Sequence, residues 1–393
     1  MFRTLLAVAA GVLLSCAALL ALEPAKAEPR RTALIKVQID NAAARYFKDN
    51  PHATALSIGV IKDGQSFTFQ YGTLVRGEKQ PPRLDTDFAI ASITKTFTGT
   101  LLAQAVVEKR AAMSDDVRKY LDNEFPNLQF NGTPIRLTDL VDHRSGLPFM
   151  LPNRPALDPN FQGDQTPFAL RVAEVAQGFD RERFFEELHK VKLTAKPGSV
   201  FAYSNMGAQL VGYVLEKIYG QSYETLLREK ILAPIGMRDS AVSLSANARR
   251  RLAPGWDENG LAILEPDLMP SAGGLKSTVG DLLRYARWQL DEKDQAVILA
   301  HQPVFNSKQP PYGDKGSYGS GFFWQVARIG ARRLIWQDGM IEGSSALCIL
   351  EPDQKLALVI MTNELDPSTS HFNQALANQI LLGIAPSALP LPG

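Results

Sequence analysis

Hydrophobic residues at the two ends of the chain form patterns that are typical of β-strands. Near the N-terminus, residues 56–61 and 66–71 are rich in β-branched and aromatic side chains. They flank Lys62-Asp63-Gly64, a turn sequence, and so predict a β-hairpin. Near the C-terminus we expect four more strands and then a helix, at about 321–326, 332–337, 346–350, 356–361 and 372–382.

The middle of the chain, about residues 92–290, is predicted to be mostly helix and loop. Apolar residues recur at helical spacing from Ile93 to Val106, and a second helix is expected from about Met206 to Tyr219. Strands at both ends with helices between them predict an α+β fold. One antiparallel sheet would be built from both termini and flanked by helices, beside a mostly helical subdomain. Active-site residues would then lie in the cleft between the sheet and that subdomain.

A serine and a lysine at the start of the first predicted central helix form a candidate catalytic pair. Ser92 and Lys95 are three residues apart, which places them on one face of a helix within reach of each other. A serine hydroxyl needs an adjacent base to act as a nucleophile at neutral pH. A lysine serves as that base only if its pKa is lowered, so we expect Lys95 to be largely buried. Ser-x-x-Lys occurs about once by chance in a chain of this length, so the pair alone does not distinguish a nucleophile from an accident.

A second motif, Tyr203-Ser204-Asn205, precedes the second predicted helix. Tyr203 is the only one of the 10 tyrosines that is followed two positions later by asparagine. Residues i and i+2 of an extended segment point the same way, so Tyr203 and Asn205 can face one cleft. The alternative is that Tyr203 is an ordinary half-buried tyrosine and Asn205 is a helix N-cap.

Together the two motifs resemble those of the class C β-lactamases, the DD-peptidases and their penicillin-binding esterase relatives. Further segments resemble the same family: residues 139–148, in which Arg144 replaces a threonine, residues 232–237 and residues 271–282. The resemblance runs from about Ala53 to Leu382. It implies a β-lactamase/transpeptidase-like fold in a single serine hydrolase domain.

The resemblance also implies a role for each matching residue. Ser92 would be the nucleophile, and Lys95 and Tyr203 would share the proton traffic, with their division of that work left open. The backbone amides of Ser92 and Met340 would form the oxyanion hole, and Asn205 would hydrogen-bond the acyl side chain of the substrate. No cofactor is implied, and the 5 histidines are scattered without metal-ligand spacing. Of these, His143 beside the site is expected to be a structural hydrogen-bonding residue.

The third motif of the family is altered in this chain. Relatives carry Lys-Thr-Gly, or histidine in the first place, where this sequence has Gln337, Asp338 and Gly339. Gly339 keeps the glycine that lets a substrate approach the backbone. Gln337 and Asp338 occupy the positions whose relatives help to hold the substrate carboxylate, so a substrate-binding role is expected here too.

An added carboxylate at Asp338 is expected to repel substrates that carry a carboxylate. An arginine could compensate, and the candidates are Arg332, Arg333 and Arg144. The alternative is that Asp338 turns away into a salt bridge and that only Gly339 matters.

The first 27 residues have the pattern of a secretory signal peptide. Arg3 precedes an apolar run that reaches Leu22, and Ala25-Lys26-Ala27 is a typical cleavage site. Residues 28–393 would then form one secreted or periplasmic domain, with a disordered tail over 386–393. Two alternatives are a lipoprotein attached through Cys16 and an uncleaved anchor.

Composition narrows the function classes. The chain has 42 basic and 41 acidic residues with no basic block, which argues against nucleic acid as a partner. No required protein partner is evident. Hydrophobic residues make up 45% of the chain, enough for a sizeable core. Cys348 is the one cysteine after the leader, so it cannot form an internal disulfide and is expected in the core.

Three functions remain open from the sequence. The first is a periplasmic D-Ala-D-Ala carboxypeptidase/endopeptidase or a β-lactamase-related hydrolase. Its substrate would be a peptidoglycan peptide or another small molecule, and β-lactams would be acylating ligands. The second is an esterase of the same fold, which the missing cation at Gln337 favours. The third is a catalytically weak binding or sensor protein.

Overall fold

The computed structural model describes residues 32–157, 163, 168–176, 178–257, 260–261, 269–307, 316–366 and 368–392. The predicted leader, with Cys16 and the cleavage site after Ala27, lies outside the described residues. Within the described residues, no helix is both long enough and apolar enough to cross a bilayer.

An eight-stranded antiparallel sheet forms the centre of the fold. Its strands are β1 Ala55–Lys62, β2 Gln65–Gly72, β9 Phe305–Ser307, β10 Gly316–Gly321, β11 Trp324–Ile329, β12 Arg332–Ile341, β13 Ser344–Glu351 and β14 Leu356–Thr362. They follow the order β2-β1-β14-β13-β12-β11-β10-β9. The N-terminal hairpin joins the C-terminal strands through the β1–β14 ladder, where Ile58 pairs with Ile360. The predicted sheet built from both termini is therefore confirmed.

Six short strands form three small ribbons outside this sheet. They are β3 Phe88–Ala89 with β8 Lys276–Ser277, β4 Gln129–Phe130 with β5 Thr133–Pro134, and β6 Trp256–Asp257 with β7 Gly260–Leu261. The β3–β8 ribbon matters for the site, because it ties the segment before Ser92 to the segment after Gly274.

The described helices flank the sheet and build the subdomain. They are α1 (32–49), α2 Thr94–Val107, α3 Leu137–Val141, α4 Phe168–Ala176, α5 Arg181–Lys190, α6 Asn205–Tyr219, α7 Tyr223–Leu227, α8 Ala246–Arg249, α9 Val279–Asp291, α10 Gln295–Ala300 and α11 Thr369–Ile384. Helices α1 and α11 contribute to the core on one face of the sheet, and α2 and α9 to the core on the other.

Two cores explain why the central strands read as continuous hydrophobic runs. In β14, Leu358 and Ile360 pack with α1 and α11, whereas Val359 and Met361 pack with α2 and α9. Successive residues of a strand point to opposite faces, so a strand that is covered on both faces needs apolar residues at every position. Cys348 is buried in the core that α2 and α9 cover, as predicted.

Three expectations about the C-terminal part need correction. The single strand predicted at 321–326 is the end of β10 and the start of β11, which are joined at Phe322 and Phe323. The strand predicted at 332–337 continues to Ile341, so Asp338 and Gly339 of the altered third motif lie within it as well as Gln337.

The tail expected to be disordered is packed over residues 386–392. Leu389 and Leu391 are buried. Their amides donate hydrogen bonds to the Glu351 carboxylate (2.8 Å) and the Asn378 side chain (2.7 Å). These contacts satisfy backbone groups that a tail rich in proline cannot pair within itself.

Candidate active site

Ser92 lies on a 3₁₀ turn, Ala91–Ile93, that leads directly into α2. The preceding residue, Ala91, has a φ of 43°, which is unusual for a residue other than glycine. Such backbone strain is often found at functional sites. The turn presents Ser92 to a cleft of about 570 Å³ between the sheet and the helical subdomain.

Lys95 is buried in the first turn of α2, directly behind Ser92. Its Nζ lies 2.9 Å from Ser92 Oγ and 2.6 Å from the carbonyl oxygen of Ala272. Burial lowers the pKa of the Lys95 amine to about 7, against the opposing effect of the Asp338 carboxylate. The buried lysine expected from the sequence is therefore present, and a large fraction of it is neutral near pH 7.

Tyr203 reaches the same serine from the other side. Its hydroxyl donates a hydrogen bond of 2.8 Å to Ser92 Oγ, and Lys95 Nζ lies 5.1 Å from the centre of its ring. Burial raises the pKa of the Tyr203 hydroxyl well above its usual value, although the hydrogen bond to Ser92 opposes this. Tyr203 is therefore a protonated phenol at neutral pH.

His143 supports the tyrosine. The two rings stack with centroids 4.3 Å apart, and His143 Nδ1 accepts a hydrogen bond from the Ser204 amide at 3.2 Å. Burial and the charge of Lys95 lower the pKa of His143 to about 3, so the imidazole is neutral. The expected structural role fits these contacts.

Asn205 is the first residue of α6 and lines the cleft. The N-cap of that helix is Ser204, whose hydroxyl accepts a hydrogen bond from the Gly207 amide at 2.9 Å. The alternative reading of Asn205 as the N-cap is therefore wrong. The Asn205 side-chain amide lies 3.7 Å from Met150 Sδ, a weak contact that a substrate carbonyl could replace.

The C-terminal part of β12, residues 337–341, forms another wall of the cleft. Its pairing with β11 ends where Trp336 meets Gln325, whereas its pairing with β13 continues to Ile341. In the ladders of the described sheet, residues 337–341 thus have one unpaired edge. Met340 lines the cleft on this segment, and the residue is 45% exposed.

Gln337 and Asp338 differ in their surroundings. Gln337 is buried, and its side-chain nitrogen donates a hydrogen bond of 3.1 Å to the backbone carbonyl of Asp338. The Asp338 carboxylate is partly buried, lines the cleft, and accepts a hydrogen bond of 3.3 Å from the Gln325 side chain. Burial raises the pKa of Asp338, and the nearby Lys95 lowers it by a smaller amount.

The expected arginine partner of Asp338 is not found in the described part of the chain. Arg333 forms a two-pronged ion pair with Glu292, and Arg332 donates to the Ser387 carbonyl. Arg144 donates to the Ser199 carbonyl. Among the described ion pairs, none includes Asp338, so the alternative in which it turns away into a salt bridge is also wrong.

A family model described as Beta-lactamase matches residues 41–382. The chain belongs to the β-lactamase family. The D-alanyl-D-alanine-carboxypeptidase/endopeptidase AmpH of Escherichia coli (strain K12) is 28% identical over 323 residues, 79% of this chain and 80% of the relative. Protein flp of Staphylococcus aureus (strain N315) is 26% identical over 339 residues, 83% of this chain and 64% of the relative.

Solved structures of the family show the same fold. A β-lactamase/D-alanine carboxypeptidase from Yersinia pestis, complexed with citrate, matches with a TM-score of 0.74 at 22% identity, over 90% of this chain and 99% of that one. A class C β-lactamase from Rhodobacter sphaeroides matches with a TM-score of 0.70 at 21% identity, over 88% of this chain and 99% of that one. The β-lactamase/transpeptidase-like fold is therefore confirmed, and the chain is a serine hydrolase of this family.

The structure adds contacts that the sequence motifs do not reveal. The Ala272 carbonyl fixes Lys95, although the two residues are 177 positions apart in the chain. Tyr318 and Gln325 line the same cleft. Gln325 donates a hydrogen bond to Asp338, and Tyr318 donates one to Gln325. Of these residues, only Ala272 could have been assigned to the site from the sequence, because it lies in one of the segments that resemble the family.

Proposed function

We propose that the protein is an exported serine acyl hydrolase that forms an acyl-enzyme on Ser92, with D-alanyl peptides of the peptidoglycan type as its substrates. The observation that carries the proposal is that Ser92 Oγ lies within hydrogen-bond distance of both Lys95 Nζ, at 2.9 Å, and the Tyr203 hydroxyl, at 2.8 Å. One group has a pKa near neutrality and the other stays protonated, which suits them to accept and to donate a proton.

Lys95 is the base for acylation in this proposal. Its neutral amine takes the proton of Ser92 Oγ while the oxygen attacks the substrate carbonyl carbon. Tyr203 cannot take this proton as a base, because its raised pKa keeps the phenol protonated. The Ala272 carbonyl, 2.6 Å from Lys95 Nζ, holds the amine in place in both protonation states.

The oxyanion of the tetrahedral intermediate would be bound by the amides of Ser92 and Met340. Strand β12 presses against the turn of Ser92 at Gly339, which brings these two backbone segments together. One such amide donor contributes roughly 10²–10³ in rate.

Tyr203 is the proton donor to the leaving group. Its hydroxyl already lies against Ser92 Oγ, beside the bond that breaks when the intermediate collapses. The proton that Lys95 took from Ser92 can then restore Tyr203, because both groups lie within hydrogen-bond distance of Ser92 Oγ. In deacylation, water attacks the carbonyl carbon of the Ser92 ester and gives its proton to the neutral Lys95 amine. When the bond between that carbon and Ser92 Oγ breaks, Lys95 returns the proton to Oγ and the acid product leaves.

A peptide substrate is supported by three features. The unpaired edge of β12 over 337–341 can pair with an extended peptide backbone. Asn205 can bind a carbonyl of the acyl side chain. The relative AmpH, which shares most of its length with this chain, is named as a D-alanyl-D-alanine-carboxypeptidase/endopeptidase.

An esterase is the second candidate, favoured by the charges of the cleft. Among the described residues that line the cleft, two are carboxylates, Asp338 and Glu342, and none is a lysine or arginine. A substrate with a free carboxylate would meet repulsion there, whereas a neutral ester would not. Apolar side chains such as Phe149 and Phe201 also suit an ester with a hydrophobic acyl group.

We propose that the protein is exported to the periplasm, where peptidoglycan peptides are found. The signal-peptide pattern of residues 1–27 is the basis, and N-terminal sequencing of the protein from the periplasmic fraction tests it. A start at Glu28 is expected. A lipid-modified Cys16 at the N-terminus would show that the protein is a lipoprotein instead.

Intact mass spectrometry tests the catalytic proposal. The purified protein is incubated with a penicillin, with a D-Ala-D-Ala peptide and with a p-nitrophenyl ester, and the mass of the acyl adduct is followed over time. Adducts are expected in the wild type and not in Ser92→Ala, whose folding is checked by circular dichroism. An adduct of unchanged yield in Ser92→Ala would contradict the proposal.

A further inference from the structure

Asp338 is held in a fixed direction by a chain of polar side chains. The Tyr318 hydroxyl donates a hydrogen bond of 2.7 Å to the Gln325 side-chain oxygen. Because the side-chain oxygen of Gln325 accepts this bond, the side-chain nitrogen is directed away from Tyr318. That nitrogen donates a hydrogen bond of 3.3 Å to the Asp338 carboxylate. All three residues line the cleft in front of Ser92. The carboxylate is thus oriented by neutral groups. Lys95 is close enough to act on its charge, but none of the ion pairs in the described part of the chain includes Asp338.

The charge of Asp338 acts on the catalytic groups. It raises the pKa of Lys95, of Tyr203 and of Tyr318, although burial is a larger influence on each of them. Such effects require that the carboxylate lies close to the reacting atoms. Ionisation of Asp338 is opposed by its burial, so a positive charge brought by a ligand would stabilise the ionised form.

Aromatic rings line the cleft that holds both Asp338 and Ser92. The cleft is lined by Phe149, Phe201, Tyr203, Tyr318 and Phe323. Aromatic faces attract ammonium groups, and clustered rings bind quaternary ammonium ligands. A carboxylate in the same cleft adds a charge attraction. The same rings would not favour a carboxylate, which prefers hydrogen-bond donors and cations.

We propose that the cleft selects substrates that carry a protonated amine or a quaternary ammonium group, with Asp338 as the counter-ion of that group. This rests on the proposed acyl transfer at Ser92, because the ammonium group is part of the acyl donor. A peptide with a free amino group and an ester of an amino alcohol both meet the requirement. The inference explains why a carboxylate is held where relatives have a neutral hydroxyl.

The first experiment compares two substrates of the same shape and different charge. Acetylthiocholine and S-(3,3-dimethylbutyl) thioacetate differ in that the first has a quaternary nitrogen where the second has a carbon. The kcat/KM of the wild type should favour the cationic thioester by about ten-fold or more, the scale of one charge contact and a cation–π contact in a partly desolvated site. A lysine-containing D-alanyl peptide and its Nε-acetylated form make a second pair, with the cation on the acyl side.

The variant Asp338→Asn keeps the shape of the side chain and removes its charge. The preference for the cationic member should fall to near unity in Asp338→Asn. It should persist in the control Asp49→Asn, which removes an exposed carboxylate of α1 that does not line the cleft. If neither pair shows a cation preference in the wild type, or if the preference survives in Asp338→Asn, the inference is wrong. An equal loss in Asp49→Asn would also contradict it, because the effect would then not be specific to Asp338.

A binding experiment separates this inference from the proposed catalytic function. Choline and 3,3-dimethylbutan-1-ol are titrated by NMR into Ser92→Ala, which needs no turnover. Tighter binding of choline, lost in Ser92→Ala combined with Asp338→Asn, supports the ammonium site even if no acyl-enzyme is ever observed. Equal binding of the two ligands would overturn it, even if Ser92 proves to be the nucleophile.

Discussion

Gly339 lies against Ile90 so closely that no larger residue fits. A β-carbon on Gly339 would overlap the Ile90 carbonyl oxygen and would lie 2.9 Å from the backbone nitrogen of Ser92. Strand β12 therefore touches the turn that carries the nucleophile. This contact holds the backbone of β12 beside the backbone of Ser92, and the amides of Ser92 and Met340 form the proposed oxyanion hole.

Gly339→Ala should damage both stability and catalysis. The added methyl forces β12 away from the turn, and overpacking of this kind costs roughly 1–3 kcal/mol. We expect a lower melting temperature and a kcat that falls about 10²-fold or more, because an oxyanion donor is displaced. Calorimetry and ester hydrolysis measure the two effects.

Gly280→Ala is the matched control, because a β-carbon there meets only ordinary contacts in α9. It should leave the rate nearly unchanged and should raise the melting temperature slightly, because alanine favours a helix more than glycine does. Full activity in Gly339→Ala would show that the cleft does not depend on this contact.

The acid limb of the pH profile should report Lys95. The pKa of the amine is lowered to about 7 and only the neutral amine can take the serine proton, so kcat/KM should rise through about pH 7. A neutral ester is the substrate, so that no substrate group titrates. A profile that is flat between pH 5 and 9, or a limb near the usual lysine pKa, would contradict this role.

Asp338→Asn should move that limb to lower pH. Asp338 raises the pKa of Lys95, so its removal lowers the pKa and extends activity into more acid solution. Asp142 is a useful control, since burial raises its own pKa to about 7. Asp142→Asn should leave the limb in place. If Asp142→Asn moves it instead, the limb belongs to Asp142.

Tyr203→Phe should slow hydrolysis most for substrates whose leaving group must be protonated. The variant keeps the ring that stacks on His143 and loses the hydroxyl that donates to Ser92. Hydrolysis of a peptide or an alkyl ester should fall by about 10²–10⁴, as expected for loss of a general acid. A p-nitrophenyl ester should lose less, because p-nitrophenolate leaves as an anion. Equal losses on both substrates would mean that Tyr203 is not the proton donor. The control, Tyr219→Phe, removes a surface hydroxyl that bonds Glu108.

The architecture could be predicted because each central strand carries its own signal. A strand that is covered on both faces carries a continuous apolar run, as residues 356–361 of β14 and 346–350 of β13 show. The boundary between β10 and β11 was misplaced because Phe322 and Phe323 continue the apolar run through the turn that joins the strands. Their positive φ angles are set by the surrounding fold and cannot be read from their side chains.

The site could be predicted only as far as short-range patterns reach. Ser92 and Lys95 meet within one turn of chain, so their spacing indicated the contact. The partners of Asp338 could not be found in the same way. Gln325 and Tyr318 come from neighbouring strands, and the sheet register that aligns them is fixed by pairing along the whole sheet.

Restoring the third motif should redirect the enzyme toward carboxylate substrates. Gln337→Lys with Asp338→Thr replaces a neutral amide by a cation and a carboxylate by a hydroxyl, so the cleft becomes more positive by about two charges when Asp338 is ionised. A substrate carboxylate should then gain about 1–4 kcal/mol, the range for charges a few ångströms apart between water and a partly exposed site. The ratio of kcat/KM for a carboxylate-bearing β-lactam to that for p-nitrophenyl acetate should rise accordingly, and the rise should shrink at high salt. Gln337→Lys alone shows how much the added cation contributes. An unchanged ratio in the double variant would mean that the charge at Asp338 does not act on the substrate.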